Sequence, residues 1–138
     1  MSSNSKSALF VERIGERQYS SENSRGATIE IGHGEGQWSP GDLLKLALLG
    51  CNTMSADSAL TLRLGADFAM SAVIDGEYNE EEDRYESFTV ELIPDFGEAD
   101  EKTVEAAKKW GLRGIERYCT ISHTLNHAVP HTAEITEE

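Results

Sequence analysis

The chain has 138 residues, enough for one domain with a real core but not for two. Its 25 acidic against 12 basic residues leave a net charge of −13, which repels nucleic acid and anionic membrane and argues against either as a partner. The start holds no apolar secretory core and no run reaches the ~18 apolar residues of a membrane span, so a cytoplasmic protein with two reduced or redox-active cysteines is expected.

Residues 1–7 are polar and are expected to be disordered. Ala8–Arg13 and Glu16–Ser20 read as short strands hinged at Gly15, and Glu22–Gly26 as a polar turn. Ala27–Ile31 alternates apolar with polar residues, as a half-buried strand does. Gly32-His-Gly-Glu-Gly36 has three glycines, but no Lys-Ser/Thr follows and Glu35 would repel phosphate; it reads as a connector rather than a nucleotide loop.

The organising stretch comes next, Ser39-Pro-Gly-Asp-Leu-Leu-Lys-Leu-Ala-Leu-Leu-Gly-Cys51. Ser39 suits the N-cap, Pro40 the first helical position, and Asp42 the positive end of the helix. The apolar pattern runs on through Met54, Ala56, Ala59, Leu60, Leu62 and Leu64 to a stop at Gly65. A helix over 40–64 would be about 37 Å long. Between Leu43 and Cys51 only Lys45 is strongly polar, so the helix is expected to be buried nearly all round, with Cys51 near its middle.

Beyond Gly65, Asp67–Ile74 has a period of two, Asp75-Gly76 reads as a turn, and Tyr78–Arg84 as a charged tip. Phe88–Ile93 alternates again and stops at Pro94. A second helix is expected from Ala99 or Asp100 to about Cys119, with Val104, Ala107, Leu112 and Ile115 on one face. Gly111 and Gly114 within it imply a bend or close packing. A last strand is expected over His131–Thr136. The order β-β-β-α-β-β-α-β gives a single α+β domain over 1–138, mainly antiparallel, around a long buried helix. Trp38, Phe68 and Trp110 are expected in the core, in an interface or lining a pocket.

Residue types alone leave Cys51 and Cys119 open: a buried cysteine is ordinarily an inert small hydrophobe, and two distant cysteines cannot be paired by spacing. Cys119, His123, His127 and His131 recur every fourth residue, but Pro130 interrupts a helical stripe and a strand would separate them by ~13 Å per step, so a metal site is not expected. No cofactor motif is present.

Taken in order, Asn23-Ser-Arg25-Gly26-Ala27, the Ser39-Pro…Gly-Cys51 helix opening and Cys119-Thr-Ile-Ser-His-Thr-Leu125 resemble the OsmC/Ohr family of osmotically inducible and organic-hydroperoxide-resistance proteins, over about residues 8–136. The resemblance implies an intertwined homodimer and a cysteine-based peroxidase that reduces organic hydroperoxides. Cys51 would attack the peroxide, Cys119 would resolve the sulfenate as an intramolecular disulfide, and Arg25 would stabilise the Cys51 thiolate that apolar burial disfavours. An external dithiol reductant, of lipoyl type in some members, would then reset the pair.

One position departs from the family pattern. Many members carry a Glu ten residues before the helix cysteine, where this chain has Gly41. Either Asp42 takes over the orientation of Arg25, or the pairing is absent and Asp42 is only a cap. That departure keeps a second class open: a non-enzymatic dimer of the same fold that binds small ligands or acts as a scaffold.

Overall fold

The computed structural model describes residues 8–137; the expectation for residues 1–7 lies outside them. Among the described residues the fold is mixed α+β, with a three-stranded and a two-stranded antiparallel sheet and three helices. The chain divides into two compact units between Leu44 and Lys45, inside the long helix.

In the first unit, β1 (Glu12–Gly15), β2 (Gln18–Glu22) and β3 (Thr28–Ile31) pair in chain order. Arg17, at φ 59°, closes the first hairpin beside a bulge between Arg13 and Gly15. The strand expected from Ala8 begins only at Glu12. The ladder with β2 stops at Glu12↔Ser20, and Ala8–Val11 lie exposed outside it. β3 alternates as read, with Ile29 and Ile31 half-buried and Thr28 and Glu30 exposed. The glycine-rich connector is pinned by Gln37, whose Oε1 accepts from Gly34 N at 3.0 Å and whose Nε2 donates to Gln18 at 2.9 Å and Glu30 at 3.2 Å.

α1 runs Pro40–Leu64 with the caps expected of it. Asp42 N donates to Ser39 Oγ at 3.1 Å, and Gly65 ends the helix at φ 97° with its N–H on Thr61 O. All-round burial is not what the chain shows. Leu48, Asn52, Ala56 and Leu60 form one buried stripe at every fourth residue, while Met54 and Leu62 are each 78% exposed. Only one side of α1 is buried, and Leu44, Leu46, Met54 and Leu62 are exposed.

The second unit packs that stripe against a hairpin and α2 (Glu101–Tyr118). Its core joins Ala56 and Leu60 of α1 to Ala107 of α2, with Met70, Leu92, Phe96 and Ile115 against them. The hairpin, β4 (Met70–Asn79) with β5 (Arg84–Pro94), is longer than the alternation indicated. Asp75-Gly76 is not a turn: Gly76 pairs with Phe88 inside the ladder. A Cβ at Gly76 would come within 3.0 Å of Phe88 and 3.1 Å of Tyr85, so the glycine makes room for two rings rather than for a reversal. The reversal is at the acidic run Glu80–Asp83, where Asp83 adopts φ 53°.

α2 starts as expected, with Asp100 accepting from Thr103 N at 2.8 Å. Its glycines mark close packing. A Cβ at Gly114 would strike the Ser55 carbonyl oxygen, and one at Gly111 would touch Leu60 at 3.5 Å. The buried line is therefore Ala107, Gly111 and Gly114, and Leu112, grouped with Ala107 and Ile115 on one face by the sequence reading, is 67% exposed. The expected strand over 131–136 is absent among the described residues. Its alternation offers one large apolar side chain, Ile135, which is fully exposed, and no ladder forms with it. In its place a short α3 (Thr120–Leu125) follows α2 directly.

Candidate active site

α1 and the α2–α3 junction bring the two cysteines together. Cys119 has φ −81° and ψ 96°, an extended residue that breaks one helix and begins the next. Its N–H closes α2 on Ile115 O at 3.0 Å, while its Sγ accepts from Ser122 N, the third residue on, at 3.3 Å. The sulfur is thereby fixed toward α1 rather than toward solvent, and Cys119 is fully buried. The half-buried Cys51 thiol, beside Asn52 on α1, is one of the groups that lower the pKa of the Cys119 thiol. Both cysteines are reduced.

Asn52, next to Cys51 on α1, completes the arrangement. It occupies the one polar place in the buried stripe of α1, and its Nδ2 donates to Cys119 Sγ at 3.2 Å and to Ser122 Oγ at 3.1 Å. Burial pushes the Cys119 thiol up, but hydrogen bonds from Ser122, Cys51 and Asn52 outweigh it and bring the group down to about 7. A sulfur with this many donors around it is an anion site in miniature. Neither Asn52 nor Ser122 was singled out from the sequence. The available signal was an amide within an otherwise apolar every-fourth-residue stripe.

Two cavities adjoin the site. One, of about 430 Å³, is bordered by Asn52 and Ser122 on one side and by Tyr85, Phe88 and Leu125 on another. A second, of about 370 Å³, is mainly apolar, with Ala56, Leu60, Leu92 and Ile115 in its wall and Asn52 again at its margin. Both are of a size for small organic molecules.

Arg25 and Asp42 lie in the other unit, and each is exposed. Arg25 sits in a turn built by Asn23, whose Oδ1 accepts from Arg25 N at 2.9 Å and Ala27 N at 3.0 Å. Asp42 sits in the first turn of α1. The two form no ion pair with each other among the described residues. The histidine series is tied up with backbone: His123 Nε2 is 2.8 Å from Glu116 O, His127 Nδ1 2.8 Å from His123 O, and His131 Nδ1 3.2 Å from Val129 O. Of the aromatic residues, Phe68 packs on the core, whereas Trp38 and Trp110 are 45% and 40% exposed. Among the described residues no helix is long and apolar enough to cross a membrane.

Comparison with known proteins agrees on one fold. A family model described as OsmC-like protein matches residues 32–134. Uncharacterized proteins of Mycobacterium tuberculosis and Mycobacterium bovis are each 30% identical over 131 residues, covering 94% of this chain and 96% of theirs. Among solved structures, a hypothetical protein from Aquifex aeolicus superposes with a TM-score of 0.70 at 20% identity, covering 86% of each chain. A putative osmotic stress induced and detoxification response protein from Psychrobacter arcticus gives 0.63 at 19% identity, covering 84% of this chain and 85% of that one.

Proposed function

Because the chain belongs to the OsmC-like family, we propose that it is a thiol-dependent peroxidase that reduces organic hydroperoxides to alcohols through a Cys51–Cys119 disulfide. The observation that carries this reading is the facing pair of reduced sulfurs, one half-buried and one fully buried, with donors aimed at the second. Cys51, the more exposed, attacks the peroxide O–O bond, becomes a sulfenic acid and releases alcohol. Cys119 condenses with it before further oxidation can occur, and water leaves. A small dithiol, of lipoyl type, then exchanges with the disulfide and restores both thiols. The apolar cavity favours a hydroperoxide with an organic tail over H₂O₂.

Arg25 supplies the cation that steadies the oxygens as charge moves onto the leaving group, and Asp42 serves chiefly the first turn of α1. The working unit is a cytoplasmic homodimer of a single OsmC-like domain. Among the described residues the buried hydrophobic side chains are only Leu48, Ala56, Leu60, Ala107 and Cys119, while Met54, Leu62 and Leu112 stand exposed, a balance that a second copy would correct. The test is peroxide consumption with a small dithiol reductant. Turnover of tert-butyl hydroperoxide that is lost in Cys51→Ser is the expected result. No consumption above a protein-free control, with folded dimer present, would leave the ligand-binding or scaffold class instead.

A further inference from the structure

We propose that Asn52 is a positioning residue for the dithiol: its amide, with the Ser122 N–H, holds the resting negative charge on Cys119, so that Cys119 receives the Cys51 proton when Cys51 attacks. The inference rests on the peroxidase reading for its second half only; where the charge resides can be measured without peroxide.

The geometry is specific. Asn52 is buried, and both hydrogens of its amide group are used, one on Cys119 Sγ and one on Ser122 Oγ. The Ser122 N–H reaches the same sulfur from the α3 side. A neutral thiol is a weak acceptor and has little use for this set of donors, whereas a thiolate gains from each of them. Cys51 is a further donor to the same sulfur. Other titratable groups near this junction are Tyr118, next to Cys119 in the chain, and His123, whose backbone N–H donates to Cys119 O and whose ring sits 2.8 Å from Glu116 O. Tyr85 and Glu86 of β5 also lie near it, lining the cavity that Asn52 and Ser122 border, with Glu86 engaged by Asn79.

The consequence for the reaction balances without a further reagent. As the Cys51 sulfur attacks the hydroperoxide, its proton passes to Cys119 and the S–O bond forms while the O–O bond breaks. The alkoxide leaving group takes that proton from Cys119 and departs as the alcohol. Cys119 is again a thiolate, now facing the Cys51 sulfenic acid, and its attack forms the disulfide and expels hydroxide, which solvent protonates. One sulfur thus serves as base, acid and resolving nucleophile, and Asn52 keeps it in place for all three.

Thiolate absorbance at 240 nm, titrated on single-cysteine variants, decides the matter. In Cys51→Ser, which removes the Cys51 hydrogen bond, the remaining Cys119 should still ionise below the range of a free cysteine, held by Ser122 and Asn52. Adding Asn52→Ala should weaken its acidity about ten-fold, as loss of one hydrogen bond to an ion does. Asn52→Asp, nearly isosteric, should weaken it further because it removes the donor and adds a like charge. Circular dichroism of each variant guards against misfolding, and the Cys51→Ser titration stands even if every Asn52 variant fails to fold. A Cys51→Ser midpoint at or above that of a free cysteine would overturn the proposal, as would an unmoved midpoint in folded Asn52→Ala. A low midpoint in a protein that consumes no peroxide would support the charge assignment while removing the peroxidase reading.

Discussion

At the scale of single residues, the lowered pKa of Cys119 has a thermodynamic consequence whose sign is fixed. An unfolded cysteine ionises near 8.5, and here the folded value is about 7. Below pH 7 the thiol is protonated in both states and contributes nothing. Between the two values only the native state has lost its proton, and above about 8.5 the full contribution is present, to be lost again as the pH falls through 7. The stability difference between the reduced protein and Cys119→Ser should therefore grow by about 2 kcal/mol from pH 6 to pH 9. Urea unfolding under reducing conditions measures it, and a pH-independent difference would contradict the assignment. For Arg25, replacement by alanine should cut peroxidase activity about 10²-fold or more, as loss of one oriented donor does. Arg25→Lys keeps the charge without the fork and should lose less. Asp42→Asn removes only a first-turn charge, since the cap is Ser39, and should leave the rate nearly unchanged. Loss as severe as in Arg25→Lys would make Asp42 the orienting partner of Arg25.

At the scale of elements, the site depends on how closely α2 lies on α1, since one helix carries Cys51 and the other ends at Cys119. Gly114 sets that distance against the Ser55 carbonyl. Backbone cannot give way as a flexible side chain can, so Gly114→Ala should destabilise the fold by roughly 1–3 kcal/mol and separate the sulfurs. Denaturant midpoints and the rate of disulfide formation check both halves; unchanged values would mean the helices are free to adjust. Much of this level was legible from the chain. Ser39, Pro40 and Gly65 mark the ends of α1 because capping chemistry is local, and Asp100 marks α2 for the same reason. What escaped depended on tertiary partners. Asp75-Gly76 carries turn composition, but two rings needed the space in a strand. The alternation over 131–136 could not make a strand without a neighbour to pair with, and α3 is too short to show a period.

For the whole molecule, the small set of buried hydrophobic residues is the leading fact. Sedimentation should give a particle of twice the 15.2 kDa chain mass at micromolar concentration, and a stable monomer there would contradict the dimer. Filling the apolar cavity, for instance by Ala107→Phe in a variant that remains folded, should impair turnover of bulky hydroperoxides more than that of H₂O₂. The candidate site was readable in part. Both cysteines could be named only because the ordered motifs resemble a family, whereas Asn52 and Ser122 became visible only once α1 and α3 were brought together. The central claim is that Cys51 and Cys119 form one redox pair. Its most direct measurement is a thiol count with peptide mapping after one equivalent of organic hydroperoxide. The expected result is loss of two thiols per chain, a Cys51–Cys119 cross-linked peptide, and full recovery with dithiothreitol; a sulfinic or sulfonic acid on Cys51 with Cys119 still free would contradict it.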